Sequence, residues 1–101
     1  MAARINKDEF EEKVLKADGK VLVDFYSDTC IPCKRMAGTV ADIEEEKEGQ
    51  LAVYKVNVNY DGELAEAYQV MSAPTFLVFE NGVETGRLTG VVKKEEILNL
   101  V

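Results

Sequence analysis

The chain has no histidine and no tryptophan, only two cysteines and two prolines, and far fewer basic than acidic residues. Without histidine, proton chemistry near neutral pH falls to cysteine, carboxylate, lysine or tyrosine. Twelve basic against nineteen acidic residues give a formal charge of −7. That field repels phosphate backbones and anionic lipid, so neither nucleic acid nor membrane is expected as a partner. No apolar run approaches the roughly 18 residues of a membrane span. The opening "MAARINKDEF" lacks the apolar stretch of a secretory signal, so the expected location is cytoplasmic.

What remains is an ordinary globular composition. At 101 residues with 47% hydrophobic content, residues 1–101 are expected to form one domain around one core. Repeats, linkers and low-complexity tracts are absent. Asn6 and Glu9 make a capping-box pattern, and Ile5 and Phe10 are spaced as a hydrophobic staple. Phe10, Val14 and Ala17 then recur at helical spacing, with Gly19 as a left-handed stop. "VLVDFY" (21–26) is nearly continuous apolar sequence, which predicts a central strand covered on both faces.

A long helix is predicted from near the cysteines to about Glu48, burying Met36, Val40 and Ile43 and ended by Gly49. "LAVYKVNV" (51–58) predicts a strand, and "ELAEAYQV" a short helix burying Leu64, Ala67 and Tyr68. "TFLVF", the turn signal "NG" and "VETGRLTG" predict a hairpin. Ile97, Leu98 and Val101 mark a closing helix, and there is room for a short first strand near Arg4. Alternating units followed by a hairpin imply an α/β fold: a mixed sheet of four to five strands flanked by about four helices.

Both cysteines fall in "SDTCIPCKRM" (27–36), three positions apart. A structural disulfide there would close a tiny loop and remove little chain entropy, and a reducing compartment opposes it. A zinc or iron–sulfur site usually takes four Cys or His ligands, so carboxylates or a second subunit would have to complete it. No metal is expected. A redox dithiol fits the placement best, since the pair follows a strand and opens a helix. Positions three apart on a first turn are neighbours on one face, within disulfide reach. Cys30 falls at the cap, where unpaired N–H groups and the positive end of the helix dipole favour a thiolate. Pro32 has no N–H to give and fits a first turn without strain.

"VLVDFY", "CIPCK" (30–34), "APTFLVFENG" (73–82) and Gly90 together resemble the thioredoxin family over essentially the whole chain. The resemblance implies that family's fold and dithiol–disulfide exchange, with no bound cofactor beyond a redox-active Cys30–Cys33 disulfide. Thioredoxin is itself the reference case for a lowered thiol pKa, from about 8.5 to about 7, or about 2 kcal/mol. A helix dipole supplies up to about 2 kcal/mol in partly buried geometry, and the Cys33 N–H is a further donor. In this reading Cys30 attacks a substrate disulfide and Cys33 resolves the mixed disulfide.

The remaining site residues have plain readings beside the family one. By itself, Asp24 reads as a strand-end or exposed residue. The resemblance makes it a buried carboxylate that assists deprotonation of Cys33, with Lys55 as its coupled partner. Pro74 could be a simple loop residue at a strand entrance. The resemblance implies a cis bond before it, a place beside the cysteines, and pairing of the Ala73 backbone with an extended substrate. Gly90, otherwise an ordinary strand-end glycine, fits the family glycine that lets a partner approach. Thr29 stands where most members have Trp, Ile31 where they have Gly, and Gly38 where a proline kinks the long helix. Thr29, Ile31 and Pro32 thus form an altered rim around Cys30.

The implied activity is reduction of protein disulfides by a monomer that a separate thioredoxin reductase recharges, since no dinucleotide fingerprint is present. An oxidase or isomerase of the same fold, and a non-catalytic binding or redox-sensing module, are the alternatives.

Overall fold

In the computed structural model, which describes residues 2–101, a short strand β1 (Ala3–Arg4) leads into a capped helix, α1 (Lys7–Phe10). The Asn6 side chain accepts the Glu9 N–H at 2.9 Å, and the Glu9 carboxylate accepts the Asn6 N–H at 3.1 Å. Two otherwise unpaired donors are thereby satisfied reciprocally. Ile5 and Phe10 flank the box and are both buried. Beyond Phe10 the helix widens into a π turn, Glu11–Leu15, closed by the Lys16 N–H on the Glu11 carbonyl at 3.1 Å. The sequence reading had a uniform α-helical run here. Val14 still joins Phe10 in the core.

The strand order is β1-β3-β2-β4-β5, with β2 (Lys20–Tyr26) central. β2 pairs in parallel with β3 (Leu51–Asn57) and antiparallel with β4 (Thr75–Glu80), and β5 (Val83–Thr89) returns along β4. Alternation along β2 feeds two cores. Val21, Val23 and Phe25 pack with α1 residues and with Leu64 and Ala65 of α3 (Gly62–Ala67). Leu22 packs on the other face with Met36, Val40 and Ile43 of α2 (Ile31–Glu46) and Ile97 of α4 (Lys94–Leu98). A five-stranded mixed sheet with four helices results, in the expected α/β class.

Asn81 and Gly82 both take positive φ, 52° and 82°, as a type I′ hairpin turn requires. This turn is also tied to the end of the first helical segment. The Gly19 N–H donates to Asn81 Oδ1 at 2.8 Å, the Asn81 N–H to the Gly19 carbonyl at 3.0 Å, and a Cβ on Gly82 would overlap the Leu15 carbonyl.

Two further expectations need correction. α2 ends at Glu46, not about Glu48, with Gly49 reached three residues later at φ 84°. In α3, Ala65 is buried and Ala67 exposed, the reverse of the sequence reading for Ala67. Tyr68 lies half-buried against Phe10 and Phe79, with ring centroids at 5.3 and 5.6 Å. Anchoring that ring rolls the short helix toward Ala65 and leaves Ala67 outside. Each such aromatic pair adds about 0.5–1.5 kcal/mol beyond its buried area.

Gly38 lies in the exposed interior of α2, and a Cβ there would meet nothing within 4 Å. Gly38→Ala is therefore expected to stabilise the fold by about 1 kcal/mol, because alanine loses less backbone freedom on folding. Urea unfolding checks this; a lower midpoint would show that α2 needs a flexible residue there.

Candidate active site

β2 ends at Tyr26, and a four-residue connection brings the chain to the first turn of α2. Cys30 is the N-cap, with extended backbone (φ −86°, ψ 110°), and its Sγ accepts the Cys33 N–H at 3.0 Å. Pro32, in the first turn, withholds an N–H that would have no helical partner. Cys30 and Cys33 are joined as a disulfide, their Cα atoms 5.2 Å apart. Both are half-buried, whereas Thr29 and Ile31 on either side of Cys30 are exposed, Ile31 by 65%.

The facing wall is the turn into β4. The Ala73–Pro74 bond is cis, and the Ala73 carbonyl oxygen lies 3.3 Å from Cys30 Sγ. In the dithiol the Cys30 S–H can donate to that oxygen. Thr75 Oγ1 donates to the Ser72 carbonyl at 2.7 Å, and the Gly90 N–H donates to the Pro74 carbonyl at 2.9 Å. Gly90 takes φ 86°, with open space where a side chain would begin. Met71, two residues before Ala73, is 92% exposed.

Behind the disulfide, Asp24, Lys55 and Cys33 line one cavity of ≈ 200 Å³, together with Tyr26, Ser27, Asp28 and Lys34. Asp24 is 5% exposed, and its Oδ1 has no hydrogen-bond partner among the described residues. Burial pushes its carboxyl up to about 6, while the Lys55 charge pulls it down. Asp24 and Lys55 stand opposite one another in the β2–β3 register. Among the described residues no group of three or more His, Cys, Asp or Glu could hold a metal ion. None of their helices is long and apolar enough to cross a membrane.

The sequence model of the family described as Thioredoxin matches residues 1–101. The chain belongs to the thioredoxin family. It is 32% identical over 101 residues to a thioredoxin of Rickettsia bellii, covering all of this chain and 96% of that one. It is 36% identical over 93 residues to Thioredoxin 1 of Nostoc, covering 92% and 87% of the two chains. Over 88 residues it is 34% identical to a thioredoxin of Pseudomonas aeruginosa, covering 87% and 82%. With its disulfide-linked C-x-x-C pair, this member of the family is a thiol–disulfide oxidoreductase, a protein-disulfide reductase by activity. Thioredoxins carry no cofactor beyond that disulfide.

One part of the site was not anticipated. In this chain the connection before Cys30 is held by a polar network centred on Ser27. Its carbonyl accepts the Cys30 N–H at 3.3 Å, and its Oγ accepts from Asn59 Nδ2 at 3.1 Å and lies 3.3 Å from Thr29 Oγ1. Asn57, fully buried, donates from Nδ2 to Asp28 at 3.3 Å, and its Oδ1 accepts the Asn59 N–H at 2.9 Å. A buried amide costs little only when paired in this way. "NVN" (57–59), two asparagines closing an apolar strand, was the available signal.

Proposed function

We propose that the chain acts as one thioredoxin-like domain, a cytoplasmic monomer that reduces disulfides in partner proteins and is recharged by a separate thioredoxin reductase. The carrying observation is Cys30 Sγ at the helix cap, accepting the Cys33 N–H at 3.0 Å and facing the Ala73 carbonyl at 3.3 Å. The N–H and the dipole favour sulfur as an anion there.

The Cys30 thiolate attacks one sulfur of the substrate disulfide. A Cys30–substrate disulfide forms, and the other substrate sulfur leaves as thiolate. Cys33 gives its proton to the Asp24 carboxylate and attacks Cys30 Sγ. The second substrate thiolate leaves, and two electrons have passed from the dithiol to the substrate. Lys55 shares the cavity and offsets the Asp24 charge. The Ala73 backbone pairs with an extended substrate segment, and Pro74 borders that contact. Thr29, Ile31, Pro32 and Gly90 form the contact rim, in which a small hydroxyl and an apolar side chain select partners.

A turnover assay tests the reading. The protein should catalyse reduction of a disulfide-bonded protein by a small dithiol. Brief alkylation of the reduced form should label Cys30 well before Cys33 on peptide mapping. Faster labelling of Cys33 reverses the assigned roles, and no catalysis refutes the activity.

A further inference from the structure

Lys55 stands between two possible partners. The parallel register sets it opposite Asp24, and alternation along β2 places Tyr26 on the same face as Asp24, one step further along. All three side chains line the cavity that Cys33 borders. The Lys55 ammonium lies over the Tyr26 ring, Nζ 4.4 Å from its centroid. Among the described residues no ion pair joins Lys55 to Asp24, and Asp24 Oδ1 has no hydrogen-bond partner. The opposite charge that the register sets across from Asp24 lies over a ring instead. An ammonium over an aromatic face is held by the ring quadrupole, more firmly where water is scarce.

We propose that Tyr26 is a positioning residue that competes with Asp24 for the Lys55 ammonium and so keeps Asp24 a strong enough base to take the Cys33 proton. Lys55 rests on the ring while the Asp24 carboxyl is protonated and is drawn toward the carboxylate when it ionises. Arrival of the Cys33 proton on Asp24 returns it to the ring. The idea rests on Asp24 as the proton acceptor, but the movement of Lys55 is separable from that role. The other titratable groups facing the cavity are Cys33 and Lys34 of α2 and Asp28 of the preceding connection, and from β1 the charged Arg4 stands beside Lys55 in the parallel register. From β4, Asp24 is opposed by Phe76, which carries no charge.

The test is a double-mutant cycle read on the Asp24 carboxyl carbon by NMR against pH, in the oxidised protein where neither cysteine titrates. Tyr26→Leu frees Lys55 for the carboxylate and should lower the Asp24 midpoint by about half a pH unit. Tyr26→Phe and Tyr26→Trp keep a ring and should retain most of the original midpoint. Lys55→Met should raise the midpoint, and in that background Tyr26→Leu should shift it no further. A shift from Tyr26→Leu that persists without Lys55 would mean that the ring merely excludes water, and overturns the proposal. So would no shift in the single variant. The native protein gives an independent reading should Tyr26→Leu fold poorly. The Lys55 side-chain protons should show an upfield ring-current shift that diminishes as pH rises through the Asp24 midpoint; a pH-independent shift overturns the proposal. If the cycle holds but mixed-disulfide resolution is indifferent to Asp24, the acceptor assignment fails and the positioning role stands.

Discussion

Cys33→Ser is expected to stop the protein as a covalent mixed disulfide with its substrate, whereas Cys30→Ser should form no adduct at all. Turnover should fall in both by on the order of 1000-fold or more, the scale seen when a nucleophile is removed. The asymmetry follows from the helix start. Cys30 Sγ sits at the cap with an N–H donor at 3.0 Å, between the exposed residues Thr29 and Ile31, while Cys33 borders the inner cavity beside Asp24. A serine hydroxyl at 33 is too weak an acid to displace the substrate from Cys30. Intact mass spectrometry after mixing with a disulfide substrate reads both outcomes. Adduct accumulating in Cys30→Ser would show that Cys33 attacks first.

Asp24→Asn should make the protein more stable at neutral pH, by an amount that disappears in acid. Burial raises the folded-state carboxyl from its ordinary value of 3.8 to about 6. The folded protein therefore holds this proton more tightly than the unfolded chain does. The stability contributed by protonated Asp24 is complete below about 4 and is lost as pH climbs through 6. A shift of about two units corresponds to about 3 kcal/mol, and Asn escapes that loss because it does not ionise. For a domain of this size the variant's Tm at pH 8 should rise by on the order of 10 °C, with little difference at pH 4. Thermal unfolding at the two pH values checks it; an equal gain at both would mean that ionisation is not the cause. The same variant should slow resolution of the mixed disulfide by about 100-fold, as loss of a general base does, while sparing the first attack. Equal slowing of both steps would count against Asp24 as the acceptor.

Most of what is decided within one or two turns of backbone was legible in the chain, the π turn at Glu11–Leu15 and the early end of α2 at Glu46 excepted. The Asn6–Glu9 capping box needs only residues three apart, and Asn81-Gly82 needs only two residues able to take positive φ. Met36, Val40 and Ile43 carry the helical period that turns α2 toward the sheet. The spacing of Cys30 and Cys33 on a first turn is likewise local, so the redox pair could be read before any fold was known. Asp24 is different. Its burial depends on α2 lying across β2, and a carboxylate in an apolar strand has no local reason to be inside. Lys55 is opposite it only because β2 and β3 pair in parallel at one register, and Tyr26 reaches the ammonium through the same pairing. The Ala73 carbonyl meets Cys30 across 43 positions of sequence, and Ser27 meets Asn59 across 32. The choice of Ala65 over Ala67 was made by an aromatic cluster drawn from α1, β4 and the end of α3. Hydrogen-bonded turns and side-chain periodicity act between near neighbours and leave a pattern in the sequence. Desolvation and the competition for one ammonium depend on which distant segments exclude water from a cavity, and only the packed sheet and helices decide that.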